Sequence, residues 1–281
     1  MSITVNTAAR DAMREVLLLI CCVLLVSSAY GQIDQAPPGR RIPEVDKASV
    51  AKAVARVRSG DFLGIDLDLI RRAGAVEAIP ALEAQFARTQ ELQDKANIAS
   101  TLVRLGDKDT SYWDFLVKLA TPVLESDAPD FLSYDAQGKS LPGPSPEFIV
   151  WAKAHNVPPN GPVGNAGENA VYWSPGKVAV LGSTGDARAI PLLRQALSSP
   201  NHMVEIVAAQ ALAEMQDKES IPTIIEACKR APAEVAELIA DSLVYFDDPS
   251  AQNAVDRYVP KDRAKVLRDA KAQGKSTPWT R

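Results

Sequence analysis

Histidine is almost missing from these 281 residues: there are two, His155 and His202, 47 positions apart. Neither has a second histidine at helical spacing, and biological metal sites draw on three or four clustered ligands. The sequence therefore gives no metal site, and no cofactor is expected. Cysteine is nearly as scarce. Of three, Cys21 and Cys22 fall in an N-terminal apolar run, which leaves Cys228 and no intrachain disulfide. There is no glycine-rich phosphate loop and no G-x-S-x-G elbow, so the usual nucleotide and acyl-transfer signatures are absent. Excess positive charge is lacking too. A formal net charge of −4 argues against a nucleic-acid binder, which needs a strongly basic face. Aromatics make up only 6%, whereas alanine and leucine are plentiful, which favours helices over a sheet sandwich.

Long hydrophobic runs are also few. The longest, residues 16–26, follows one arginine, and Ala29-Tyr30-Gly31 after it offers a cleavage site with small residues at −3 and −1. Eleven apolar residues are too few to span a bilayer. Residues 1–31 read as a secretory leader, with Met13 as a natural start; an uncleaved anchor or a buried first helix is the alternative. Ile20 before Cys21 does not suit a lipoprotein signal. The expected location is periplasmic or extracellular, in a bacterium, with no membrane span once the leader is cut at or near Gly31. Residues 32–45 read as a linker.

What is present is a repeat. Asp186, Asp217 and Asp248 are spaced by 31, as are Leu193, Ile224 and Val255, then Leu197, Cys228 and Val259, then Leu181, Leu212 and Leu243. Several independent coincidences at one period mark a repeat architecture. Each unit reads as two helices. The aspartate is placed as an N-cap, Pro191 or Pro222 sits in the first turn where its missing N–H costs nothing, and apolar residues recur on one face. An earlier copy, "GAVEAIPALEAQF" followed by "NIASTLVRLGDKD", lies at residues 74–86 and 97–109. Residues 46–73 form a preceding pair, and 110–126 begin another unit.

The run "GDARAIPLLRQAL…VEIVAAQALAEMQDKESIP" resembles the HEAT repeat, in the short form of bacterial HEAT-repeat proteins, over about residues 46–126 and 176–260. The resemblance implies an all-α fold, an α-solenoid of stacked helical hairpins, and a surface for other macromolecules. An enzymatic branch, the dinuclear-iron hydroxylases, carries His-Glu pairs on successive helices, and bilin lyases share the scaffold. Here the histidines precede Asn156 and Met203, so the iron chemistry does not carry over.

Residues 127–174 break the pattern. They hold 7 of the 20 prolines and 6 of the 16 aromatics. A hairpin around residues 135–138, a helix over "SPEFIVWAKAHN" and an open loop at 158–167 are expected. Such an insertion in a repeat stack is either a plug between two half-solenoids or a binding lip. Candidate binding residues are Tyr134, Phe148, Trp151 and His155 here, with Asp130, Asp135 and Glu147 as carboxylates able to approach His155. On the second helices Ile206, Gln210 and Ala213, then Glu237, Asp241 and Val244, are expected opposite the buried face, as a ridge for an extended partner. The C-terminal repeats occupy 175–260. Residues 261–281 form a basic tail or capping helix that leaves the rest of the chain near −9.

The function these features predict is a non-catalytic scaffold binding a protein or peptide, neutral or basic, and no nucleic acid. The alternatives are an enzyme or small-ligand binder with its pocket between solenoid and insertion, and a purely structural part of an envelope assembly.

Overall fold

The computed structural model describes residues 46–156 and 175–272. The expected leader at 1–31, the linker at 32–45, the loop at 158–167 with Tyr172 and Trp173, and the last nine residues of the basic tail lie outside the described residues. Those described form thirteen α-helices and one two-stranded sheet. The fold is an all-α solenoid of helical hairpins.

Six hairpins follow one another. They are α1 (Lys47–Ser59) with α2 (Gly64–Ala73), α3 (Ile79–Arg88) with α4 (Leu92–Arg104), and α5 (Ser111–Leu124) with α7 (Gly176–Ser183). Then come α8 (Ala189–Ala196) with α9 (His202–Glu214), α10 (Ile221–Arg230) with α11 (Ala233–Asp241), and α12 (Pro249–Tyr258) with α13 (Lys261–Ala272). Local chemistry sets the ends. Asp46 accepts from Ser49 N at 2.9 Å to open α1, and Gly60, in the left-handed region, closes it. Pro80, Pro222 and Pro249 each occupy a first turn.

The repeated aspartates do not all cap. Asp248 does, accepting from Ser250 N and Ala251 N. Asp186 instead closes a turn on Arg188 N, and Asp217 gives both oxygens to Arg194 of the preceding repeat, at 2.6 and 2.8 Å. The expectation of a cap at each copy is corrected. A carboxylate at this position can serve the next helix or the previous repeat, and a nearby arginine decides which.

Leucine or isoleucine fills second helices at Ile70, Leu102, Leu181 and Leu212, and the 3-10 turn that ends α11 at Leu243, and all five are fully buried. Leu82, Leu116, Leu193, Ile224 and Val255 do the same for the first helices. Successive second helices touch without a gap, α2 on α4, α4 on α7, α7 on α9 and α9 on α11. The stack is therefore continuous, and residues 125–175 join α5 to α7 within a single repeat. They do not separate two half-solenoids.

All eight residues of α7 are buried. It can sit this deep because its faces are small: a Cβ added at Gly182 would lie 2.4 Å from Ala211 Cβ, so only glycine allows α7 and α9 to approach this closely. Arginines then bridge neighbouring repeats, Arg194 to Asp217 and Arg263 to Asp241. At the other end Arg71 of α2, 3% exposed, reaches Ser100 and Thr101 of α4. No helix among the described residues is long and apolar enough to cross a membrane.

Candidate functional site

The insertion has a small core of its own. Phe148, Trp151, Ala152 and Ala128 are buried together with Phe131 against them, apart from the main core. Ser145 opens helix α6 (Pro146–Ala154), its hydroxyl accepting from Phe148 N at 3.0 Å and donating to Asp130 O at 2.6 Å. Trp151 Nε1 donates to Asp127 at 2.8 Å. With Phe148 and Trp151 turned inward, α6 presents Ile149 (43% exposed) and Val150 (70%) to solvent, and the hairpin adds Leu141 (41%).

Strands β1 (Leu132–Tyr134) and β2 (Ser140–Pro144) pair antiparallel, and their tip lies on the start of α11. Glu234 N donates to Gly138 O at 3.1 Å, and Ser140 N donates to Glu234 Oε2 at 2.9 Å. Gly138 has φ +74°, and a Cβ there would stand 2.3 Å from Ala233 N, so glycine is required twice over. The insertion thus leaves its own repeat and runs over the N-terminal ends of α9 and α11.

Where it crosses α9 a polar cluster forms around the buried Glu205. Tyr134 donates its hydroxyl to Asp130 Oδ2 at 3.0 Å, and its ring meets that of His202 edge to face, with centroids 6.0 Å apart. His202 Nδ1 donates to Glu205 Oε2 at 2.7 Å, and Arg230 Nη2 donates to Glu205 Oε1 at 2.8 Å and to Leu197 O at 3.0 Å. Glu205 is 2% exposed. Burial raises the Asp130 carboxyl above its ordinary range, against the pull of His202 and the bonds from Leu132 and Tyr134. Burial would lower the imidazole of His202, but the hydrogen bond to Glu205 and the charges of Asp130 and Glu205 outweigh it, so it is raised. Burial and the Asp130 charge push the Tyr134 phenol up.

The candidate residues read from the sequence scatter. Tyr134 belongs to this cluster. Phe148 and Trp151 are core, and His155, exposed, stacks on Trp151 at 4.4 Å and donates Nδ1–H to Trp151 O. Asp130 faces His202 rather than His155. On the second helices the expected outward ridge is corrected: Ile206, Ala213, Asp241 and Val244 are buried. Asp241 pairs with Arg263, which also takes Glu237 at 3.3 Å, and its carboxyl is pushed up to about 6 by burial. Gln210 is half-buried, its Oε1 without a hydrogen-bond partner among the described residues. The cause is the alanine run Ala208, Ala209, Ala211 and Ala213, which lets α9 pack on several sides at once.

Sequence reasoning passed over His202, Glu205 and Arg230. His202 and Glu205 are three apart on one helix, a spacing that faces them together, but Asp130 lies 72 positions away and no local pattern points to it. No group of three or more His, Cys, Asp or Glu placed to hold a metal exists among the described residues. Cys228 is buried and its thiol pushed up to about 12, which suits packing and not nucleophilic attack.

Against known proteins, the family model described as HEAT repeats matches residues 178–244, from α7 through α11. The chain contains HEAT repeats. The matched stretch is the part of the stack that the insertion overlies, so the HEAT repeats supply both walls of the cluster, His202–Glu205 on one hairpin and Arg230–Glu234 on the next. No curated protein and no solved structure matches the chain. HEAT repeats generally mediate protein–protein interaction, which supports a scaffold role.

Proposed function

We propose that this HEAT-repeat protein is an exported, non-catalytic scaffold, and that it binds a protein or peptide through the outer face of its insertion. The observation that carries the reading is the contrast within α6. Its aromatics are packed inward and held by Asp127 and Ser145, while Ile149, Val150 and neighbouring Leu141 are left in water. Large apolar side chains grouped on a held element mark interaction surfaces. On α9 the outward positions Ile206 and Ala213 are buried, so that helix offers no such face. With a +5 tail in a chain of −4, the remainder carries −9, which favours a neutral or basic partner.

A pocket between solenoid and insertion is the second reading, favoured by the convergence of Asp130, Tyr134, His202 and Glu205. Against it, these groups hydrogen-bond one another or the backbone beside them, as a structural joint does.

The test is a crosslinking pull-down from bacterial envelope extract with residues 32–281, beside the double substitution Ile149→Asp, Val150→Asp. A partner that the substituted protein loses, at unchanged helical circular dichroism, and that binds the purified wild type directly supports the reading. A partner held equally by both moves binding to the repeats. No specific partner for either overturns the scaffold function.

A further inference from the structure

The seam between insertion and repeats has a charge balance that depends on one proton. Two carboxylates meet at His202: Glu205 of α9, buried, accepts from its Nδ1, and Asp130 of the insertion, half-buried and bonded to the Tyr134 whose ring packs on that of His202, acts on it by charge. Arg230 is the permanent cation of the cluster, and it bonds Glu205 and not Asp130. Among the described residues Asp130 accepts from neutral donors, Tyr134 Oη and the backbone N–H groups of Leu132 and Phe131. A carboxylate partly withdrawn from water without a counter-charge is costly, and among the described residues the cation whose charge acts on Asp130 is the imidazolium of His202. The other ionisable groups do not substitute for it. Glu234 at the hairpin tip is exposed and acidic, Cys228 beside Glu205 is a buried thiol, and Tyr134 is neutral.

We propose that His202 is a proton-operated latch: charged, it holds the insertion onto α9 and α11; neutral, it leaves Asp130 uncompensated and the hairpin lifts from the repeats. The raised values of His202 and Asp130 act in one direction. A group raised in the attached state binds its proton more tightly there, so attachment is strongest at acid pH and weakens as pH rises through those values. On the binding reading above, and resting on it for this consequence alone, the apolar face of α6 is then held in place under acid conditions and released under neutral to alkaline ones.

The experiment is hydrogen exchange by mass spectrometry on free residues 32–281, at about pH 5.5 and about pH 8, expressed as protection factors so that the intrinsic pH dependence of exchange cancels. Peptides covering 130–145 and the start of α11 report the seam, and those from α8 and α10 report the fold. The wild-type seam is expected to be several-fold more protected at the lower pH. His202→Gln should show low protection at about pH 8 and only a reduced gain at about pH 5.5, from the proton that Asp130 alone takes up. Adding Asp130→Asn to it should restore protection at both, because a carboxamide needs no counter-charge, and His155→Gln should leave the wild-type step intact. A wild-type seam protected equally at both pH values overturns the latch, as does a pH step of undiminished size in His202→Gln or a double variant that stays open. Because no partner is present, failure of the binding reading leaves this result untouched, and the reverse also holds.

Discussion

Asp68 occupies one of the least hospitable places for a carboxylate in this protein. It is fully buried on α2, neither oxygen accepts a hydrogen bond among the described residues, and Arg72 Nη1, 3.7 Å away, is its ion-pair partner. Burial pushes its carboxyl up to about 8, against the opposing charges of Arg71 and Arg72. The sign follows directly. Between the ordinary carboxylate value near 4 and about 8, the folded state holds a proton that the unfolded state has released, so stability falls as pH rises across that window. Asp68→Asn should therefore flatten the alkaline side of the stability profile. At pH 8 it should raise stability by about 1–3 kcal/mol, the scale of a buried polar group left unsatisfied. Chemical denaturation of both proteins at about pH 6 and about pH 9 checks this; equal slopes would place the Asp68 charge in contact with solvent. Nothing in the local sequence "GIDLDLIRRA" separated Asp68 from an ordinary solvated residue. Only the packing of α2 on its neighbours buries it.

Among the elements, α7 holds the most. Short and wholly buried, it touches α4 and α5 before it and α8 and α9 after it. Leu181→Ala at its centre removes a fully buried side chain and should cost about 2–5 kcal/mol. In a stack where each repeat contacts only its neighbours, weakening one central unit splits the unfolding into separate steps. The same truncation at Val255, in the last repeat, should fray only that end. Thermal unfolding followed by circular dichroism distinguishes the two: a biphasic melt is expected for Leu181→Ala and a single, slightly lowered transition for Val255→Ala. The period of 31 made the helical hairpins legible, because Leu181, Leu212 and Leu243 recur on an inner face where leucine is the natural filler. Which face of α9 was outward was not legible. Ile206 and Ala213 looked free opposite Val204 and Leu212, yet a helix so rich in alanine can bury both sides.

At the scale of the whole molecule, the continuity of the stack contrasts with the discontinuity of its sequence. Residues 127–174 shift in composition so sharply that the chain reads as two solenoids around a plug. The repeat frame held the correction: Leu102 to Leu181 is 79 positions, where one repeat takes 31, and the excess of 48 is the length of that segment. A whole insertion placed between the helices of one hairpin leaves the packing of α5 on α7 untouched, since the two helices meet directly. Excising 127–174 and joining α5 to α7 by a turn of about four residues, common between such helices, should thus preserve the solenoid. Helical circular dichroism per residue should stay level or rise. Stability should still fall, because Glu205 would keep His202 and Arg230 but lose the cover of Tyr134 and Asp130, and the start of α11 would lose the hairpin tip. A loss of about 1–3 kcal/mol, the scale for uncovering one buried polar group, is expected, localised to α9 and α11 by hydrogen exchange. An excised chain that melts without cooperativity, with α5 and α7 unprotected, would mean that the insertion is needed to assemble the third repeat and does more than ride on it.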